Sequence, residues 1–103
     1  MSVIVSFFKP QPLGSINAPA VGAVRKMEVV TIPGTTTATA EEGEIVLIGN
    51  NEASMVTVAC GSTPDAAATT ATAATSAGAP LPSGQSMPLV VAKNNKVNIK
   101  AVS

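Results

Sequence analysis

The chain has 103 residues, 46% of them hydrophobic, 12% charged and 2% aromatic, which suits one small domain and excludes two. A domain of this size buries only about two-thirds of the surface its unfolded chain exposes, so marginal stability or association with other subunits is expected. Six basic and six acidic residues give a formal net charge of +0, without the positive field that carries nucleic-acid binding, so neither DNA nor RNA is an expected partner.

In chain order, Val3-Ile4-Val5-Ser6-Phe7-Phe8 is a β-branched and aromatic run that predicts a first strand. It is too short to span a bilayer, and no basic segment precedes it as in a secretory leader; no membrane partner is expected. Lys9-Pro10-Gln11-Pro12-Leu13-Gly14 follows, and its two prolines remove ladder donors, so a loop is expected there. Residues 1–19 are thus expected to form an N-terminal strand or arm with a Pro-rich loop, and residues 20–103 a β-sandwich domain. Ala20 to Ile32 alternates without a cleanly apolar parity, which predicts a strand partly covered on both faces. Pro33-Gly34 is a turn dipeptide, and Thr35 to Ala40 predicts an edge-like strand of small residues.

Glu41-Glu42-Gly43 predicts the next turn, and Glu44-Ile45-Val46-Leu47-Ile48 is the most hydrophobic run, expected to lie centrally. Gly49-Asn50-Asn51-Glu52 separates it from Ser54 to Cys60, and two β-rich runs flanking a short Gly/Asn loop predict a hairpin. Thr63-Pro64-Asp65 can cap one or two helical turns running to Ala68. The Thr-rich stretch beyond it has no helical apolar stripe and predicts a small-residue strand or a low-complexity loop. Pro80 to Gly84 is a turn, Met87 to Ala92 a strand, Asn94-Asn95 a turn, and Lys96 to Val102 a final strand with Val97, Ile99 and Ala101 inward. The sum is about seven or eight short strands, an all-β antiparallel sandwich or jelly roll. No helix of crossover length separates any two strands, which excludes a parallel α/β fold.

The chemical inventory is thin. There is no His, so the commonest acid/base group is missing and His-based triads and metal sites go with it. Glu41, Glu42 and Glu44 lack the spaced Asp and Asn ligands of a calcium loop, and with Lys93, Lys96 and Lys100 they are expected to be solvated. The glycines form neither a phosphate loop nor a dinucleotide fingerprint. Cys60 is alone, so no internal disulfide forms and a small buried thiol is expected. No enzyme activity, cofactor or metal is expected.

Three features favour binding instead. Val3, Val5, Phe7 and Phe8 followed by Pro10 and Pro12 place an apolar cluster and both aromatics at one end, where they either anchor a partner or close the domain's own core. The run Ala66 to Ala79 suits close packing against another chain or is a mobile loop. The low charge content implies a surface largely covered by partners.

Three segments, IVLIGNNEASMVTVACGSTPDAAATT, SAGAPLPSGQSMPLVV and KVNIKAV, together resemble small bacteriophage virion proteins of the capsid decoration, or cement, and head-fibre kind. There a valine-rich strand precedes a GxTP-like turn and an Ala/Thr strand, and a P-L-P-x-G turn leads into the last two strands. Gly61, Thr63 and Pro64, then Pro80, Leu81, Pro82 and Gly84, are the matching positions here. The likeness covers residues 45–102 and leaves the N-terminal 35 residues without a matching motif. It implies a structural virion protein, made in the host cytoplasm, that binds the major capsid protein on the outer capsid surface as a homo-oligomer, a trimer in that family. The alternative is a carbohydrate- or receptor-binding sandwich of a phage head or tail, although sugar sites favour stacking aromatics and Trp and Tyr are absent.

Overall fold

The computed structural model describes residues 2–13 and 16–102, with side chains described for 2–9 and 24–102. All described pairings are antiparallel. The strands are β1 (Ser2–Leu13), β2 (Ile16–Thr31), β3 (Gly34–Thr35), β4 (Ile45–Gly49), β5 (Val56–Gly61), β6 (Ala79–Leu81), β7 (Ser86–Val90) and β8 (Lys96–Ala101). They form two four-stranded sheets, ordered β2-β1-β4-β7 and β3-β8-β5-β6, and no helix is present among the described residues. This is the expected all-β sandwich.

Alternation drives the packing, because successive strand residues point to opposite sheet faces. Val3, Val5, Phe7, Val46 and Ile48 from one sheet meet Val56, Val58, Val97, Ile99 and Leu81 from the other in a single buried cluster. Among its members only Phe7 is aromatic, so the core is almost wholly aliphatic. The run expected to be central is so: β4 lies between β1 and β7, with Val46 and Ile48 fully buried. In β8, Val97 and Ile99 point inward as expected, but Ala101, at the strand's end, is exposed.

Several local expectations are corrected. The runs on either side of Gly49-Asn50-Asn51-Glu52 do not form a hairpin. β4 pairs with β1 and β7, and β5 pairs with β6 and β8, so the connection crosses from one sheet to the other. Buried Asn50 holds the crossing: its Nδ2 donates to the carbonyls of Ser54 and Leu81, both at 3.1 Å, and its Oδ1 accepts from the Glu52 N–H at 2.9 Å. A local Gly/Asn signal marks a reversal, but which strand each run joins is decided by burial of both in one interior.

The loop expected over residues 9–14 is strand up to Leu13, and the division expected between residues 19 and 20 falls within β2. Past Phe8, β1 has β2 on one side only, since β4 ends at the Phe8–Ile45 pair, and a strand with one neighbour tolerates proline. The register makes this specific. Pro12 lies opposite Pro19, and two residues without N–H groups cannot form a hydrogen-bonded pair, so theirs is a non-bonded pair whose backbone groups face away from the ladder. With Gln11 opposite Ala20 and Pro10 opposite Val21, Pro10 also faces outward. The ribbon keeps its ladder through Gln11 and loses donors only at its outer edges.

The strand expected over Thr35–Ala40 shrinks to Gly34–Thr35, and neither helix nor strand forms over residues 62–78. That segment is a hydrogen-bonded loop laid over the second sheet. Ser76 donates its N–H to the Cys60 carbonyl and its hydroxyl accepts from the Cys60 N–H. Thr63 N–H reaches the Ala74 carbonyl, and Gly78 N–H the Ala68 carbonyl. The Thr-Pro-Asp motif makes only a turn, in which Asp65 Oδ1 accepts from the Ala67 N–H at 3.0 Å. Small side chains, unable to build a strand with its own buried face, let the backbone lie close to β5: a Cβ on Gly61 would collide with the backbone of Ala74 and Thr75.

Candidate functional site

The two sheets treat their outer sides differently. On the β3-β8-β5-β6 sheet the outward Asn98 is buried beneath the 62–78 loop, its Oδ1 accepting from the Ala66 N–H at 2.8 Å and its Nδ2 donating to the Gly34 carbonyl and Thr35 Oγ1. Lys100 Nζ lies 2.7 Å from Asp65 Oδ1, and that hydrogen bond, with one from the Ala67 N–H, holds the half-exposed Asp65 carboxyl below its ordinary range.

Among the described residues no comparable loop lies over the β2-β1-β4-β7 sheet, although Phe8 on its outer face is buried. Its register aligns three outward rows across the four strands: Val29, Ile4, Gly49 and Ser86; then Met27, Ser6, Leu47 and Pro88; then Val24, Phe8, Ile45 and Val90. None of these residues is charged. Val24, Met27, Val29, Ile4 and Val90 are 47%, 56%, 56%, 38% and 76% exposed. Side chains of that size leave on the order of 500 Å² of apolar surface in water, toward the top of what a monomer ordinarily carries. A cleft between the 42–45 turn and Val90–Lys93 opens at one end of this face.

The apolar N-terminal cluster is divided between core and face. Val3, Val5 and Phe7 point inward and are members of the core cluster, while Phe8 stands in the outer row, buried at 4% exposure. The inward three are consumed by the chain's own interior. Pro10 and Pro12 lie in β1, and their side chains are outside the described residues. The outward residues that join this face from β2, β4 and β7 were not singled out from the sequence. Their signal was present only as alternating parities, such as Met27 and Val29 against Lys26 and Glu28, that need the register to become one surface.

The acidic run is not wholly solvated, because Glu44 is buried. Lys26 lies opposite Phe7 and Val24 opposite Phe8, which leaves Arg25 as the extra residue of a β-bulge, and a bulge re-aims its side chain. Arg25 Nε donates to Glu44 Oε2 at 2.7 Å and Nη2 to Glu44 Oε1 at 2.9 Å, while Nη2 also reaches the Thr39 carbonyl. The guanidinium lies 5.7 Å from the Phe7 ring centre. The Arg25 hydrogen bonds hold the Glu44 carboxyl below its usual value, helped by the Glu41 N–H and opposed by burial. This fork engages both carboxylate oxygens of Glu44.

Cys60 is a free, half-buried thiol in β5, a strand with neighbours on both sides. Among the described residues no group of three His, Cys, Asp or Glu side chains is placed to hold a metal ion, and no helix is long and apolar enough to cross a membrane. The arrangement can bury apolar surface. Comparison with protein-family models, with curated proteins and with solved structures finds no match.

Proposed function

We propose that this chain is a non-enzymatic structural protein of a virion, which binds the major capsid protein and decorates or cements a phage shell as a homo-oligomer. The reading is supported by one observation above the rest: a four-strand-wide sheet face with no charged residue and several large side chains in water. A surface of that kind is stable in solution only at the cost of exposed apolar area, and covering it on assembly recovers roughly 25 cal/mol per Å². The resemblance of residues 45–102 to decoration and head-fibre proteins supplies the partner class. Attachment stabilises the shell by mass action, because a protein bound only to the assembled lattice shifts the equilibrium toward it.

Co-sedimentation with assembled phage heads tests this. The wild-type protein is expected to pellet with particles at saturating stoichiometry and to raise their thermal disruption temperature. Absence of any association with heads or other virion parts overturns it.

A further inference from the structure

We propose that the uncharged outer face of the β2-β1-β4-β7 sheet is an interface between two copies of this chain, stacked face to face. The inference rests on reading this face as an assembly surface and does not depend on the assembly being a phage shell.

The first argument is closure of the edges. A partner can join a β-sandwich by adding a strand or by covering a face, and strand addition needs free N–H groups along an edge. Pro88 removes a donor from the middle of edge strand β7, and edge strand β6 has three residues of which the central one is Pro80. β3, the other edge of that sheet, has two residues. The fourth edge, β2, is longer, and its Glu28 and Arg25 side chains bond the 37–39 segment through the Thr37 and Ala38 N–H groups and the Thr39 carbonyl. Farther along the ribbon, Pro10 and Pro12 face outward on one edge and Pro19 on the other. Strand addition is thereby blunted at three of the four edges, which favours association through a face.

The second argument concerns charge. In a two-fold pair the same patch meets itself, so any charge near its centre meets its own like. Twelve outward positions without one charge meet that condition, and the zero formal charge adds no long-range repulsion between copies. Sheets stack at about 10 Å, the spacing that alternating side chains on two facing sheets naturally fill.

Area is the third argument. A stable interface of standard size takes about 800 Å² from each partner, and the on-the-order-of 500 Å² that the face offers places a pair of copies among the small, reversible interfaces.

Sedimentation velocity on the purified full-length protein, without particles, reads the outcome. The wild type is expected to associate reversibly in the micromolar range. A Met27→Lys/Val29→Lys variant is expected to raise the dissociation constant on the order of 100-fold, since each copy then buries lysines against its partner's lysines. Ala67→Lys, on the loop over the other sheet, is expected to leave association unchanged. Should the double variant lose its β circular dichroism spectrum, Val90→Lys at the far side of the same face takes its place with the same expectation. A wild type that stays monomeric at several hundred micromolar overturns the proposal, as does association that survives lysines on the face. If that monomer still binds phage heads, the shell itself takes the face and the decoration reading stands.

Discussion

The outer sides of the two sheets are built from similar strands and end in opposite conditions. Over β5 and β8 the chain folds its own 62–78 loop and stitches it down through Asn98 and Ser76. Over the other sheet no described segment is stitched down in this way, and while Phe8 is buried there, Val29, Met27 and Val90 stand in water. The covered side is the polar one, where Asn98 needs partners because a buried amide without them costs stability. The bare side is apolar and incurs no such penalty, so it can wait for a partner. Inward packing is equally complete beneath both, so the difference lies in what was left for another molecule to do.

Substitutions can break that contrast, starting with the most costly. Asn98→Ala removes three hydrogen bonds and leaves the buried Ala66 N–H unpaired; a loss of about 3 kcal/mol in urea unfolding is expected, at about 1 kcal/mol per bond. Gly61→Ala forces a methyl group against the Ala74 backbone and is expected to cost about 2 kcal/mol by overpacking, with faster amide exchange confined to residues 62–78. A loop exchanging no faster in that variant would mean that it is not held by its close approach to β5.

The flank between the faces responds to pH. Glu44 lies below its ordinary value near 4.5 because Arg25 hydrogen-bonds its charged form. A depressed carboxylate contributes stability that is complete above that unfolded value and is lost as pH falls through the folded one. Glu44→Gln is therefore expected to cost about 1 to 2 kcal/mol at pH 7, since Glu44 is buried while the Arg25 end of the fork reaches solvent. The difference from wild type should vanish in acid, below the folded value. A difference that persists in acid once Glu44 is protonated in the folded protein would assign the loss to packing instead. Smallest of all, Val29→Lys on the bare face is expected to change the stability of the dilute monomer by less than about 0.5 kcal/mol, by urea unfolding at submicromolar concentration. A larger loss would show that the side chain is already covered within one chain.

The strands were largely legible because their signals are local: Val97 and Ile99 alternate with polar residues in the letters themselves, and Glu44 to Ile48 reads as a strand from its apolar run, though not its parity. Pairing was not. The Gly-Asn-Asn reversal after Ile48 reads identically whether the chain turns back beside itself or crosses to a facing sheet, and only the shared interior separates the two. The prolines misled for a related reason. Pro10 and Pro12 read as strand breakers, yet their two-residue spacing puts both on one side of the ladder, where a missing donor costs nothing. The candidate face was hidden most deeply, since its rows combine residues as distant as Val24 and Val90. Arg25 and Glu44 were equally unreadable as a pair, because a single inserted residue in β2 turns the guanidinium toward the carboxylate.

The prolines also bear on how large an assembly can become. Joining by strand pairing has no natural end, because each added molecule presents a fresh edge to the next and the product is a fibre. Stacking through one face uses that face up in both partners. A chain that joins only through the proposed face stops at a pair, so raising its concentration is expected to yield more particles of fixed size and no longer ones.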